Sequence, residues 1–319
     1  MDRRSWRKYG LVPLFLAAAA SPGWSAEPAA PAAGMSLADA AILGVVEGVT
    51  EYLPVSSTGH LILTQKLMGL GGDGREQEAA GAYAICIQAG AIVAVLGLYF
   101  GRVRQMVVGI GGKDAVGRRL AINIIAAFIP AAVIGLLIND WIKEHLFGGG
   151  RFGIWPVVGA WFVGGLAILA VGWWRRYRKR DVHVGTALEQ LQWAPAMVIG
   201  LAQCLAMWPG VSRSLVTIVA GVLVGLGLSA AVEFSFLLGV LTLGAATAYD
   251  AMKHGDVMLE AYGAASLVIG FLASAISAAV AVKWMVAYLN RHGLAVFGYY
   301  RVVLAVVVGG LILGGVLSR

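Results

Sequence analysis

Six apolar runs, each long enough to cross a bilayer, dominate this chain: roughly residues 82–101, 120–138, 154–174, 232–249, 262–287 and 297–317. A bilayer's hydrocarbon core takes about 20 residues of helix to cross. No water bonds the backbone there, so each run must close its own hydrogen-bond ladder as a helix. Hydrophobic residues make up 59% of the chain and charged residues 13%, against about 25% charged in soluble domains. The chain therefore reads as an all-α polytopic membrane protein with about six transmembrane helices. Its 44 glycines are about twice the usual share, and small residues let membrane helices approach closely.

The net charge of +7 does not call for a nucleic-acid partner, because the basic residues fall between apolar runs. One cluster is Arg102, Arg104, Lys113, Arg118 and Arg119; the other is Arg175, Arg176, Arg178, Lys179 and Arg180. Such clusters mark cytoplasmic loops. Loops 102–119 and 175–192 are expected inside, with loops 139–153 and 250–261 and the carboxyl terminus outside. Loop 139–153 holds Asp140, Lys143, Glu144 and Arg151, without a basic excess. Cys86 and Cys204 sit in apolar sequence at a spacing that fits no metal motif, so both read as small buried hydrophobes. Residues 1–34 are basic, then apolar, then Ala/Pro-rich. They read as a signal-like or dispensable leader, with Met35 as an alternative start, ahead of an integral membrane domain at 35–319.

Two stretches resist the oily pattern. Segment 36–65 contains Glu47, Glu51, Pro54, Ser56, Ser57, Thr58 and His60; segment 194–228 contains Pro209, Gly210, Ser212, Arg213, Ser214 and Thr217. An ionisable group at membrane depth costs roughly 2.5–3.5 kcal/mol on insertion scales and marks a functional site by default. The span count requires each segment to begin and end on one side, and each is interrupted by proline, which breaks the helical ladder. Two re-entrant helical hairpins are therefore expected. An offset of 156 residues places Gly44 on Gly200, Glu47 on Gln203, Val55 on Val211 and Ser56 on Ser212, with the prolines out of step by one. Hairpins entering from opposite faces make inverted repeats, which share a site near the membrane interior.

The residue types describe phosphoryl chemistry. Glu47 and Glu51 share a helix face four residues apart, so one proton is shared or a cation lies between them. Magnesium or calcium suits carboxylate oxygens together with substrate phosphate. Ser56, Ser57 and Thr58 precede an apolar helix, where a hydroxyl caps free N–H groups and the same helix start attracts anions. His60 is the expected acid or base, and a nearby base can turn a serine into a nucleophile. Arg213 offers a planar fork for phosphate, supported by Ser212, Ser214 and Thr217. Serine, histidine and water all remain open as the attacking group. No Walker loop, dinucleotide fingerprint or zinc signature is present.

Glu47-x-x-x-Glu51, Leu-Pro-Val-Ser-Ser-Thr-Gly-His60 and Pro209-Gly-x-Ser-Arg-Ser-x-x-Thr217 together resemble the bacterial undecaprenyl-diphosphatase family, integral membrane enzymes also called bacitracin-resistance proteins. The resemblance runs from about Met35 to the end. It implies removal of the terminal phosphate of undecaprenyl diphosphate, a polyprenyl lipid carrier of cell-wall synthesis, at the inner membrane. It also implies a fold of inverted repeats with two re-entrant segments and active-site roles for the acidic pair, Ser57, His60 and Arg213, while the orientation set by the basic loops gives an expected opening to the periplasm. A homodimer is an admissible assembly. Leu215 and Val216 depart from the small pair expected between Ser214 and Thr217. The rival reading is a flippase of the polyprenyl phosphate carrier, since inverted repeats of broken helices are also transporter architecture.

Overall fold

The computed structural model describes residues 35–70, 74–146, 153–177 and 184–317. Among them, α1 (Leu37–Thr50) and α2 (Ser57–Leu67) precede α3 (Gly74–Leu98), α4 (Phe100–Ile110), α5 (Ala115–Leu146) and α6 (Trp155–Tyr177). Next come α7 (Trp193–Gln203), α8 (Arg213–Leu223), a long helical run α9 (Leu228–Leu289) and α10 (Ala295–Leu313). Gly263 breaks α9 with φ 66° and ψ 159°, a conformation open to a residue without Cβ. Six segments are long and apolar enough to cross a membrane: Ala80–Leu98, Ala115–Leu137, Trp155–Tyr177, Leu228–Met252, Tyr262–Leu289 and Ala295–Leu313. The chain is thus an all-helical multi-pass membrane protein, as the apolar runs require.

The expected loops contain more helix than hydropathy indicates. Most of 102–119 belongs to α4 and the start of α5, 139–146 extends α5, and 250–261 lies within α9. Hydropathy reports where a helix is oily; it does not report where the backbone stops being helical. Asp114 ends the turn before α5 by accepting the Gly117 N–H at 2.8 Å, and that bond holds its carboxyl below the usual range. Arg104, Lys113, Arg118 and Arg119 are exposed, but Arg102 is not a free topological charge. Its guanidinium pairs with Glu189 and Glu233, each at 2.6 Å, and so joins α4, the 188–190 turn and α9. Arg175 likewise is buried on α6 and donates to the Val222 carbonyl at 3.1 Å. Arg151, Arg178, Lys179, Arg180 and the leader 1–34 lie outside the described residues. Cys86 and Cys204 are only half-buried, and each thiol faces a backbone carbonyl, Leu267 or Gly200 respectively.

Equivalent glycines seat the two motif units on the long spans. A Cβ on Gly44 of α1 would overlap the Gly270 carbonyl oxygen of α9. One on Gly200 of α7, its partner at an offset of 156, would overlap the Ala127 carbonyl oxygen of α5. The first unit therefore rests on a span from the second half of the chain, and the second unit on a span from the first half. This exchange brings the two polar stretches together in the middle of the fold.

Candidate active site

Each unit is a helix, a break and a second helix. After α1, the chain turns through residues 51–55 and reaches Ser56 at φ 75°, ψ 99°. After α7, a short 3-10 turn leads through Pro209 and Gly210, at φ 91°, to Ser212 at φ 75°, ψ 116°. These two serines are the non-glycine residues with positive φ among the described residues. Such conformations cost of order 1–3 kcal/mol and gather at functional sites. Each serine caps the helix it begins, accepting the N–H of Gly59 at 3.5 Å or Leu215 at 3.3 Å. The repeat read from sequence is thus present in the backbone, and the serines rather than the prolines carry its register.

The breaks bring three expected residues into contact. The Ser57 hydroxyl donates to Glu51 Oε2. Glu51 Oε1 lies 3.5 Å from Arg213 Nη2, with Glu51 buried and Arg213 largely so. Arg213 is oriented by Nη1 donating to the Ser235 carbonyl at 2.9 Å and by the Tyr52 ring, 5.2 Å from Cζ. Its Nε and Nη2 are buried without a hydrogen bond, which leaves two parallel donors of the kind that grip phosphate. Glu47 is buried beside Glu51, and its Oε2 has no partner.

The remaining expected residues divide differently. Ser214 donates to the Leu53 carbonyl of the first unit at 2.9 Å and meets the Ser212 hydroxyl at 3.0 Å. Thr217 bonds the Arg213 carbonyl at 2.9 Å and the Ser235 hydroxyl at 2.7 Å. These three hydroxyls are engaged in bonds within the second unit, to the first unit and to α9. Thr58 is half-buried. His60 does not meet Ser57: its Nδ1 lies 2.7 Å from the Ser56 carbonyl and its Nε2 2.7 Å from the Tyr300 hydroxyl. A carbonyl only accepts, so Nδ1 carries the proton, and in the neutral ring Nε2 accepts from Tyr300. The imidazole is held between Tyr300, parallel to within 8°, and Trp161. The group that meets the Ser57 hydroxyl is therefore the Glu51 carboxylate rather than His60.

Four contributors were not singled out from sequence: Tyr52, Ser235, Tyr300 and Gly239. A Cβ on Gly239 would overlap Arg213 Nη1, so this glycine makes the space the guanidinium occupies. Gly239→Ala should therefore displace Arg213 and lower turnover at least about tenfold, roughly 1.4 kcal/mol of barrier, while thermal unfolding shows a folded protein. Unchanged turnover would mean that Arg213 reaches its position without that space.

Residues 40–307 match the family described as bacitracin resistance protein BacA. An undecaprenyl-diphosphatase of Sorangium cellulosum is 45% identical over 271 residues, covering 85% of this chain and 84% of its own. Undecaprenyl-diphosphatase 2 of Rhodospirillum rubrum is 40% identical over 88% of this chain and 97% of its own. An undecaprenyl-diphosphatase of Nitrosospira multiformis is 42% identical over 84% and 92%. With most of both chains aligned in each case, and with the motif residues assembled across two equivalent units, this chain belongs to the bacitracin resistance protein BacA family.

Proposed function

We propose that the chain hydrolyses undecaprenyl diphosphate to undecaprenyl phosphate and inorganic phosphate, which recycles the lipid carrier for cell-wall synthesis and confers resistance to bacitracin. The observation that carries this reading is the buried contact of Glu51 with both Ser57 and Arg213. A carboxylate, a hydroxyl and a guanidinium that meet at one point support roles as base, attacking group and phosphate-binding cation, and relatives that align over 84% or more of their own length are named for that activity. Passive flipping of a lipid needs no base poised on a hydroxyl. Ser57 and α2's first turn supply donors for phosphate oxygens, and Arg213 neutralises charge as it develops.

The donor set fits a divalent cation, magnesium or calcium, held by Glu47 and Glu51. Two adjacent buried carboxylates repel, and Glu47 Oε2 lacks a partner. Among the described residues no cluster of three or more His, Cys, Asp or Glu is present, so substrate phosphate would complete the shell, as is usual for magnesium. When bound, the ion supplies charge neutralisation on the phosphate oxygens. The rival is a single proton shared by the pair.

The two motif units are proposed to be re-entrant. Three candidate spans, Ala80–Leu98, Ala115–Leu137 and Trp155–Tyr177, separate them. An odd number of crossings makes two re-entrant units enter from opposite faces, and the exposed cations of α4 and α5, read as cytoplasmic, support an opening of the shared site on the periplasmic side. One experiment tests the whole reading: phosphate release without nucleotide, measured in detergent, then in right-side-out and inverted vesicles, with and without chelator. Release in detergent, and outside right-side-out vesicles, is expected, with loss on chelation and recovery with magnesium or calcium. Lipid movement only in sealed vesicles, with no phosphate released in detergent, would favour the flippase. Chelator-resistant release would replace the cation with the shared proton.

A further inference from the structure

Arg301 on α10 is fully buried, yet no ion pair joins it to a carboxylate among the described residues. Taking a charge out of water is costly even after the surroundings relax, so its retention needs a reason. Its hydrogen bonds go to backbone carbonyls. Nη1 donates to Pro54 at 3.3 Å, and Nη2 donates to Gly210 at 2.9 Å and to Ala160 at 2.8 Å. Pro54 and Gly210 are equivalent positions at the 156-residue offset, each two residues before a strained serine, Ser56 or Ser212. One guanidinium therefore grips the same point in both motif units.

The surroundings are shaped for it. A Cβ on Gly164 of α6 would lie 2.5 Å from Nη2, so that glycine leaves room for the guanidinium. A direct bond between the breaks, Ser214 to the Leu53 carbonyl, runs beside this bridge. The first unit supplies Glu51 and Ser57, and the second supplies Arg213, so the spacing of the units sets the Glu51–Arg213 separation. We propose that Arg301 is a positioning residue that fixes the register of the two half-sites. A planar fork with five donors reaches carbonyls in three segments at once; the single nitrogen of lysine does not.

The test uses the full chain with Arg301→Lys and Arg301→Met. Its kinetic arm rests on the phosphatase reading; its distance arm does not. For kinetics, turnover per folded molecule is expected to fall about a hundredfold, the scale of a roughly 1 Å misplacement, with KM for undecaprenyl diphosphate changed less than about threefold. For distance, spin labels replace the exposed residues Leu67 of α2 and Leu223 of α8 in a chain lacking Cys86 and Cys204. The label-to-label distribution is expected to be narrow with Arg301 and broadened or displaced in both variants. If the arginine variants do not fold, Gly164→Ala keeps the charge while pushing the guanidinium aside, and the same two changes are expected. Unchanged distances overturn the proposal whatever turnover does, and so does turnover within about threefold of the parent chain. A parent chain that releases no phosphate overturns the phosphatase reading alone, and the spin labels still decide on Arg301.

Discussion

Glu51→Gln should reduce phosphate release by a factor of about a thousand, within the 10²–10⁴ range of general acid–base catalysis, while the protein inserts and unfolds near the parent temperature. The substitution preserves shape but removes the charge that pairs with Arg213 and the basicity of the group that accepts the Ser57 hydroxyl, the proposed proton acceptor. An amide oxygen can still accept the hydroxyl's hydrogen bond, so local packing survives. The Glu51 hydrogen bond to Ser57 and ion pair with Arg213 lie within and between the motif units, so the change acts at the site rather than on the packing of the spans, and stability should change little. Glu47→Gln makes the informative comparison. Glu47 has one oxygen without a partner, so a cation role predicts that its loss weakens metal dependence. A shared-proton role predicts instead that the neutral amide of Glu47→Gln is tolerated. The assignment of Glu51 fails if Glu51→Gln keeps turnover within about tenfold of the parent, roughly 1.4 kcal/mol of barrier.

The parts of this site that sequence reveals are those where polarity conflicts with surroundings. Glu51, Ser57 and Arg213 stand out because each is expensive in apolar sequence, and the structure brings all three together. The same signal was available for Arg301, a lone arginine in the apolar run 297–317. Its role was not legible, because its partners are backbone carbonyls of residues 247 and 91 positions away, and carbonyls have no sequence signature. His60 shows the complementary limit. Three positions after Ser57, it shares that residue's helix face in principle. Yet α10 presents Tyr300 to its Nε2, and the Ser56 carbonyl takes its Nδ1. Helix periodicity gives the face of a side chain, whereas its partner is decided by which other helix packs there. The repeat was legible through Ser56 and Ser212 and obscured by the prolines: at the true offset Pro54 corresponds to Gly210, two different residues that deliver the same kind of carbonyl to one guanidinium.

Ser57→Ala should abolish turnover, by at least about a thousandfold or roughly 4 kcal/mol of barrier, and should also abolish a phosphorylated enzyme that the parent chain forms. The hypothesis is that Ser57 Oγ attacks the terminal phosphorus and passes its proton to Glu51. The bond from phosphorus to the bridging oxygen breaks, undecaprenyl phosphate departs, and water then releases the phosphoserine as inorganic phosphate. The geometry motivates this order, since the Ser57 hydroxyl donates to a buried carboxylate at the start of α2, where free N–H groups favour an anion. A histidine nucleophile requires His60 to give up Tyr300, because its other nitrogen carries the proton bound to Ser56. Direct attack by water would use Glu51 as its base, with Ser57 reduced to a hydrogen-bond donor. Rapid quench with terminally labelled diphosphate separates the three. Acid-stable, base-labile label on protein, lost in Ser57→Ala, is expected. Acid-labile, base-stable label would move the attack to His60. No label at any time, together with a Ser57→Ala rate within about tenfold of the parent, would leave water as the nucleophile and Glu51 as the group that activates it.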